Sequence, residues 1–155
     1  MPIASHPDVD VPAYLDAQDR GTVPYTPAVP IWLAFEAALD ELLEEGVARR
    51  LERYRERSAR IDTMVEELGL TPLLAAEHRS HSIRSVYLPE GVTFPDLHAR
   101  LRARGYVVYA GQGALASEIF RVSTMGAIEL PALDALAADL ADVLADLRTP
   151  EVARA

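Results

Sequence analysis

"YAGQGALASEIFRVSTMG", residues 109–126, decides how the chain is read. A strand-like run breaks at Gly111 and Gly113, a short loop follows, and "IFRVS" at 119–123 alternates as a second strand. The preceding run "YVVYA", 106–110, is apolar on both faces, so the two segments are predicted to be strands of one small sheet. In the second strand Phe120 and Val122 point one way while Ile119, Arg121 and Ser123 point the other. With Phe120 and Val122 in the core, Arg121 faces a cleft or another domain. Its planar guanidinium suits a carboxylate or phosphonate; a structural ion pair or an exposed arginine is the alternative.

Working outward, "SIRSVYLP" alternates with Ile83, Ser85 and Tyr87 on one face and Arg84, Val86 and Leu88 on the other, and Pro89 ends it. "TFPDLHARLRARG" follows as a short helix, with Thr93 as candidate cap, Pro95 in the first turn and Gly105 as the stop. Pro131 opens an alanine- and leucine-rich helix whose stripe is Leu133, Leu136, Leu140, Leu144 and Leu147.

Upstream, Pro30 opens a long helix carrying Trp32, Phe35, Leu39, Leu42 and Leu43. A bend or break is expected near Gly46, after which Val47, Leu51, Tyr54, Ile61, Val65 and Leu68 continue a stripe to Gly69. "TPLLAAEHRSH" from Thr71 is ambiguous. Residues 1–29, with prolines at 2, 7, 12, 24 and 27, are predicted to be an arm or connector with a brief helical possibility at "AYLDAQDR". The expected organisation is a connector at 1–29, one domain at 30–150 and a tail at 151–155. The fold class is α+β, a small, mostly antiparallel sheet with helices packed on it.

Composition narrows the function. The chain has 155 residues, a formal charge of −9 and 15 Lys plus Arg, every one an arginine. Clustered positive charge is missing, which argues against nucleic acid and against an anionic membrane surface. The arginines between Arg49 and Arg60 alternate with Glu52 and Glu56, as on a solvated helix face. Without cysteine there is no disulfide, thiolate nucleophile or thiolate metal site, in keeping with a reducing compartment. No apolar run approaches the roughly 20 residues needed to span a bilayer, and a cytoplasmic location is expected.

Smaller motifs carry bland alternatives. "GQG" at 111–113 lacks the third glycine of a dinucleotide fingerprint and alone reads as a tight loop. His78 and His81 have a spacing that could suggest metal ligands on a helix, but the stretch precedes a strand and includes Arg79. Ser80, His81 and Ser82 are adjacent in sequence, which is not triad geometry. "DELLEE" at 40–45 reads as a solvated face on which Glu45 can pair with Arg49.

Three blocks, "YTPAVPIWLAFEAALDELLEEGVARRLERYRERSARIDTMVEELGL", "SVYLPEGVTFPDLHARLRARGYVVYAGQG" and "EIFRVSTMGAI", resemble in that order the C-terminal lobe of class V aminotransferases of the pyridoxal-phosphate fold-type I superfamily. The resemblance covers roughly residues 14–148 and is nearest to the 2-aminoethylphosphonate–pyruvate aminotransferases, a layout that alanine–glyoxylate and serine–pyruvate enzymes share. It implies that Arg121, in the "FR" motif, holds the substrate α-carboxylate. It also implies that Thr26, in "TP", approaches the cofactor phosphate of a neighbouring subunit, as a hydroxyl donor can. The aromatic residue that some relatives carry before this threonine is not matched at Val23.

The chain departs from the family by having no lysine. The family's large N-terminal lobe carries the lysine that holds pyridoxal phosphate, the aspartate at the pyridine nitrogen and most phosphate-binding groups, and this sequence is expected to begin after them. Transamination needs that lysine amine, so the polypeptide alone is expected to be inactive. One reading is the small subunit of a split transaminase, partnered in a hetero- or homo-oligomer by a separate large lobe that binds most of the cofactor. The others are a non-catalytic interaction module and a piece of an ordinary longer enzyme.

Overall fold

The structure, a computed structural model, describes residues 11–148 and divides at Gly46 into two compact units. The expected extended start over residues 1–10 and the tail at 151–155 lie outside the described residues. The division falls one helix later than the 29/30 boundary drawn from sequence, so the helix opened by Pro30 stands with the connector.

In the first unit, α1 (Val11–Asp19) occupies the stretch where only a brief helix was expected. Asp16 and Arg20 pair at 2.9 Å one turn apart, and the Tyr14 and Tyr25 rings lie 6.1 Å apart. α2 (Val29–Glu45) starts with Pro30 in the first turn, where a missing N–H removes no helical hydrogen bond. It ends at Gly46, whose φ of +86° is open to glycine at little cost. None of its residues is buried: Ile31, Trp32, Leu33, Phe35, Leu39 and Leu43 are all exposed.

The second unit begins with α3 (Val47–Glu67). Its stripe is buried only in the second half, at Ile61, Met64 and Val65, whereas Val47 and Leu51 are exposed. Gly69 takes a positive φ of 62° and the Leu70 N–H returns to the Val65 carbonyl at 2.9 Å, which ends the helix as expected. The ambiguous stretch then runs along β1 (Ile83–Tyr87): Leu73 N–H donates to Ser85 O at 2.9 Å and Tyr87 N–H to Thr71 O at 2.8 Å. Thr93 caps α4 (Phe94–Ala103) by accepting from the Asp96 N–H, and Gly105 follows the helix at φ +92°.

β2 is only Tyr109–Ala110, shorter than the predicted 106–110 strand. Val107 there is exposed, Val108 is buried in the core and Tyr106 packs partly buried against it. β3 (Ile119–Ser123) is the central strand of an antiparallel sheet ordered β1-β3-β2, with Val86 opposite Phe120 and Ser85 opposite Arg121. α5 (Leu130–Arg148) buries Leu133, Leu136, Leu140, Val143 and Leu144, close to the predicted stripe. The buried cluster joins these to Ile61, Met64 and Val65 of α3, Leu97 and Leu101 of α4, and Val86, Phe120 and Val122 of the sheet. At about 1.5–3 kcal/mol for each large side chain taken from water, this one face supplies the main stabilisation. The predicted α+β architecture is therefore the observed one.

Candidate functional site

Antiparallel pairing puts directly opposed residues on the same side of a sheet. The row Ser85–Arg121–Tyr109 therefore crosses all three strands on one face, and Arg121 is its middle member. Helices α3, α4 and α5 pack on the other face, that of Val86, Phe120 and Val122. Arg121 is half-buried, Ser85 likewise, and Tyr109 is 63% exposed. Phe120 and Val122 are buried as predicted, which leaves Arg121 turned away from the helical core.

Arg121 Nε donates to the Ala110 carbonyl at 2.8 Å. No carboxylate among the described residues lies within ion-pair distance of it, so the structural ion pair has no described partner. The one tether fixes the guanidinium by its side edge and leaves the two terminal nitrogens as the donors a planar anion would meet. The loop beside this tether is tight. A Cβ on Gly111 would lie 2.2 Å from Leu115 O and 2.7 Å from Ile119 Cγ1, so glycine is needed for a close backbone approach within the turn. This gives "GQG" the structural role first assigned to it.

Thr26 lies in the other unit, exposed, on the segment between α1 and α2. Its hydroxyl has no hydrogen-bond partner among the described residues. Each of these two sequence-predicted residues is thus placed within its own unit.

The remaining polar clusters are structural. Arg84 is 5% exposed, and its Nε and Nη2 reach Asp62 Oδ1 and Oδ2 at 2.7 Å each. Arg84 Nη1 also donates to Ser80 O, and Arg79 reaches Asp62 Oδ1 at 3.2 Å. Burial works against the charged form of Asp62, but the Arg84 fork, its charge and Arg79 outweigh burial and lower the carboxyl's pKa. Arg57 is an exception to the solvated face expected for residues 49–60. It is 4% exposed and donates to Thr124 O at 3.3 Å and Gly126 O at 2.8 Å.

The Tyr106 hydroxyl donates to Asp139 Oδ2 at 2.8 Å. That hydrogen bond, then burial and the Asp139 charge, raise the phenol pKa against a smaller opposing effect of Arg104. His81 Nδ1 lies 3.0 Å from Ser58 Oγ, while Ser80 and Ser82 pair with each other at 2.9 Å, so no nucleophile–base pair forms from Ser80, His81 and Ser82. No cluster of metal-binding side chains occurs among the described residues. No described helix is long and apolar enough to cross a membrane.

Sequence reasoning did not single out Ser85 or Tyr109 as neighbours of Arg121. Their alternation was visible, but pairing partners are set by register.

No family model matches the chain. The 2-aminoethylphosphonate–pyruvate transaminase of Aeromonas hydrophila is 36% identical to it over 112 residues, 70% of this chain and 29% of the relative. That of Salmonella schwarzengrund is 35% identical over 120 residues, 76% of this chain and 30% of the relative. An aspartate aminotransferase of subgroup IV from Thermus thermophilus superposes with a TM-score of 0.74 at 32% identity, covering 89% of this chain and 39% of that one. An alanine–glyoxylate aminotransferase from Nostoc sp. gives 0.71 at 27% identity, covering 77% and 32%. The chain spans less than a third of the length of the curated relatives it matches.

Proposed function

Because the chain belongs to the class V aminotransferase family and matches its C-terminal lobe, we propose that, as small subunit or as C-terminal lobe, it completes the substrate site of a pyridoxal-phosphate-dependent transaminase whose lysine-bearing lobe lies outside this sequence. The substrates are of the 2-aminoethylphosphonate, alanine or serine type, with pyruvate or glyoxylate as amino acceptor. The observation that carries this reading is the guanidinium of Arg121, held by one edge on the sheet face away from the helical core.

The residues present fit the cofactor in part. Thr26 offers an exposed hydroxyl suited to a phosphate oxygen, and the chain offers no lysine amine. Pyridoxal phosphate fits here as a group shared with a lysine-bearing lobe, to which it brings the electron sink for amino-group transfer. Within that arrangement Arg121 would bind and orient the α-carboxylate of an amino or 2-oxo acid, or the phosphonate of an aminophosphonate, through its terminal nitrogens. Thr26 would donate to the cofactor phosphate of a neighbouring subunit. Proton movement at the reacting carbon belongs to the lysine of the partner lobe.

The test is Arg121→Lys in the enzyme reconstituted with a lysine-bearing lobe. Lysine keeps the charge and loses the fork, so kcat/KM should fall by a factor on the order of 10 to 1000 for amino acid and keto acid alike, with little change in Tm. An unchanged kcat/KM refutes the proposal. A non-catalytic module is the second reading, favoured by the absence of lysine in this sequence together with the exposed Ile31, Trp32, Leu33, Phe35 and Leu43 of α2. Under it, no transamination appears with any lysine-bearing lobe.

A further inference from the structure

We infer that Ser85 is a second carboxylate-binding residue, donating its hydroxyl to the anion that Arg121 engages; this rests on the carboxylate role proposed for Arg121. Three observations meet at this position. Ser85 is the direct cross-strand partner of Arg121, and directly opposed side chains of an antiparallel pair stand about 4.5–5.5 Å apart at Cβ on the same face. The Ser85 hydroxyl has no hydrogen-bond partner among the described residues, although the residue is half-buried. Its backbone is already engaged, the carbonyl accepting from the Leu73 N–H at 2.9 Å, so the strand position is fixed while the side chain is left over.

Ser123 provides the contrast. It lies on the same face, two residues along β3 from Arg121, yet its Oγ is spent on the backbone, donating to Ser82 O at 3.3 Å and accepting from Met125 N–H at 3.2 Å. A strand gains more from Val, Ile or Thr at a half-buried position than from serine, so local propensity does not account for Ser85. The chemistry of the row does. The Ala110 carbonyl occupies Arg121 Nε, so a carboxylate approaches the terminal nitrogens and still has lone pairs to spare. A hydroxyl on the neighbouring strand supplies a further donor to one of its oxygens. The ligand class is a small carboxylate of the amino acid or 2-oxo acid type.

Both groups lie on this chain, so the contact is measurable without the other lobe. The experiment titrates the isotope-labelled full chain with pyruvate, following the Arg121 Nε–H resonance by NMR, for the parent, Ser85→Ala, Ser85→Thr and Arg121→Lys. Affinity of the lysine variant is read from the backbone amides of β3. Ser85→Ala should weaken the apparent Kd by about 10-fold, the effect of one hydrogen bond to a charged group, at unchanged Tm. Ser85→Thr, which keeps the hydroxyl, should restore it to within about twofold. If Arg121→Lys weakens binding while Ser85→Ala does not, the role of Ser85 is overturned and that of Arg121 stands. If Ser85→Ala lowers Tm and leaves the Kd alone, Ser85 is structural and the inference is wrong. If pyruvate shifts nothing in the parent, the carboxylate reading of Arg121 fails and the inference fails with it.

Discussion

Arg84 on β1 and Asp62 on α3 meet fork to fork, Nε to Oδ1 and Nη2 to Oδ2, both at 2.7 Å. The arginine is buried almost completely, so the pair clamps the sheet to the helix while holding a charge out of water. Removing one partner should cost more than removing both, because a lone buried charge is left behind. Asp62→Asn is expected to destabilise by on the order of 2–4 kcal/mol, and Asp62→Leu with Arg84→Met by clearly less. Urea unfolding of the single and double variants measures the difference; a double-variant loss equal to the sum of the two single-variant losses would mean the pair contributes no coupling.

The same carboxylate sets an acid limb. Its pKa is lower in the folded protein than in the unfolded chain, so its contribution is present above about pH 4 and is lost as pH falls through the folded value. Asp62→Asn should therefore lie well below the parent in Tm at neutral pH and approach it as pH drops below about 4. A gap that stays constant with pH would remove Asp62 from the acid response.

At the alkaline end Tyr106 behaves in the opposite sense. Its phenol pKa is raised by donation to Asp139, so the stabilisation is complete below about pH 10 and disappears as pH rises through the folded value. Tyr106→Phe is expected to lose about 1 kcal/mol at neutral pH and to converge on the parent in strong alkali. Thermal melts across that range check it.

Gly111 links packing to the candidate site. An alanine there would press on the Leu115 carbonyl, beside the Ala110 carbonyl that tethers Arg121. Gly111→Ala should cost about 1–3 kcal/mol of stability, as overpacking does, and should disturb the Arg121 Nε–H resonance. An unmoved resonance would show that the turn does not set the guanidinium.

Mixed with pyridoxal phosphate and dialysed, the chain alone should retain no absorption band at roughly 400 nm, since no lysine amine is present to hold the cofactor. A retained band that survives blocking of the N-terminus would contradict this.

Much of this fold was readable because β1, β3, α4 and α5 each carry a period and a stop signal of their own. β2 was not, because a ladder's length depends on its partner: Val107 is apolar and still exposed. Arg84 was visibly on the face of Val86, and a buried arginine needs acceptors for its donors. Which acceptor was hidden, since Asp62 is 22 residues away on a helix. Arg57 shares the helical row of Ile61 and Met64, a signal masked by the charged residues around it. For Arg121 the alternation gave the face, whereas its choice between ion pair and anion depended on which carboxylates the fold brings near.

The strand order β1-β3-β2 also governs the sequence of assembly. β1 and β2 have no ladder with each other; both wait for β3, the last of the three to be synthesised. The helix α4 can form from local contacts as soon as its residues are made, but the sheet pays its loop-closure cost in one late step. A nascent chain that has emerged only through α4 holds β1 without its ladder partner and Val86 without Phe120. Arg121 thus enters its row at the moment the sheet closes, so that row and the hydrophobic core mature together during translation.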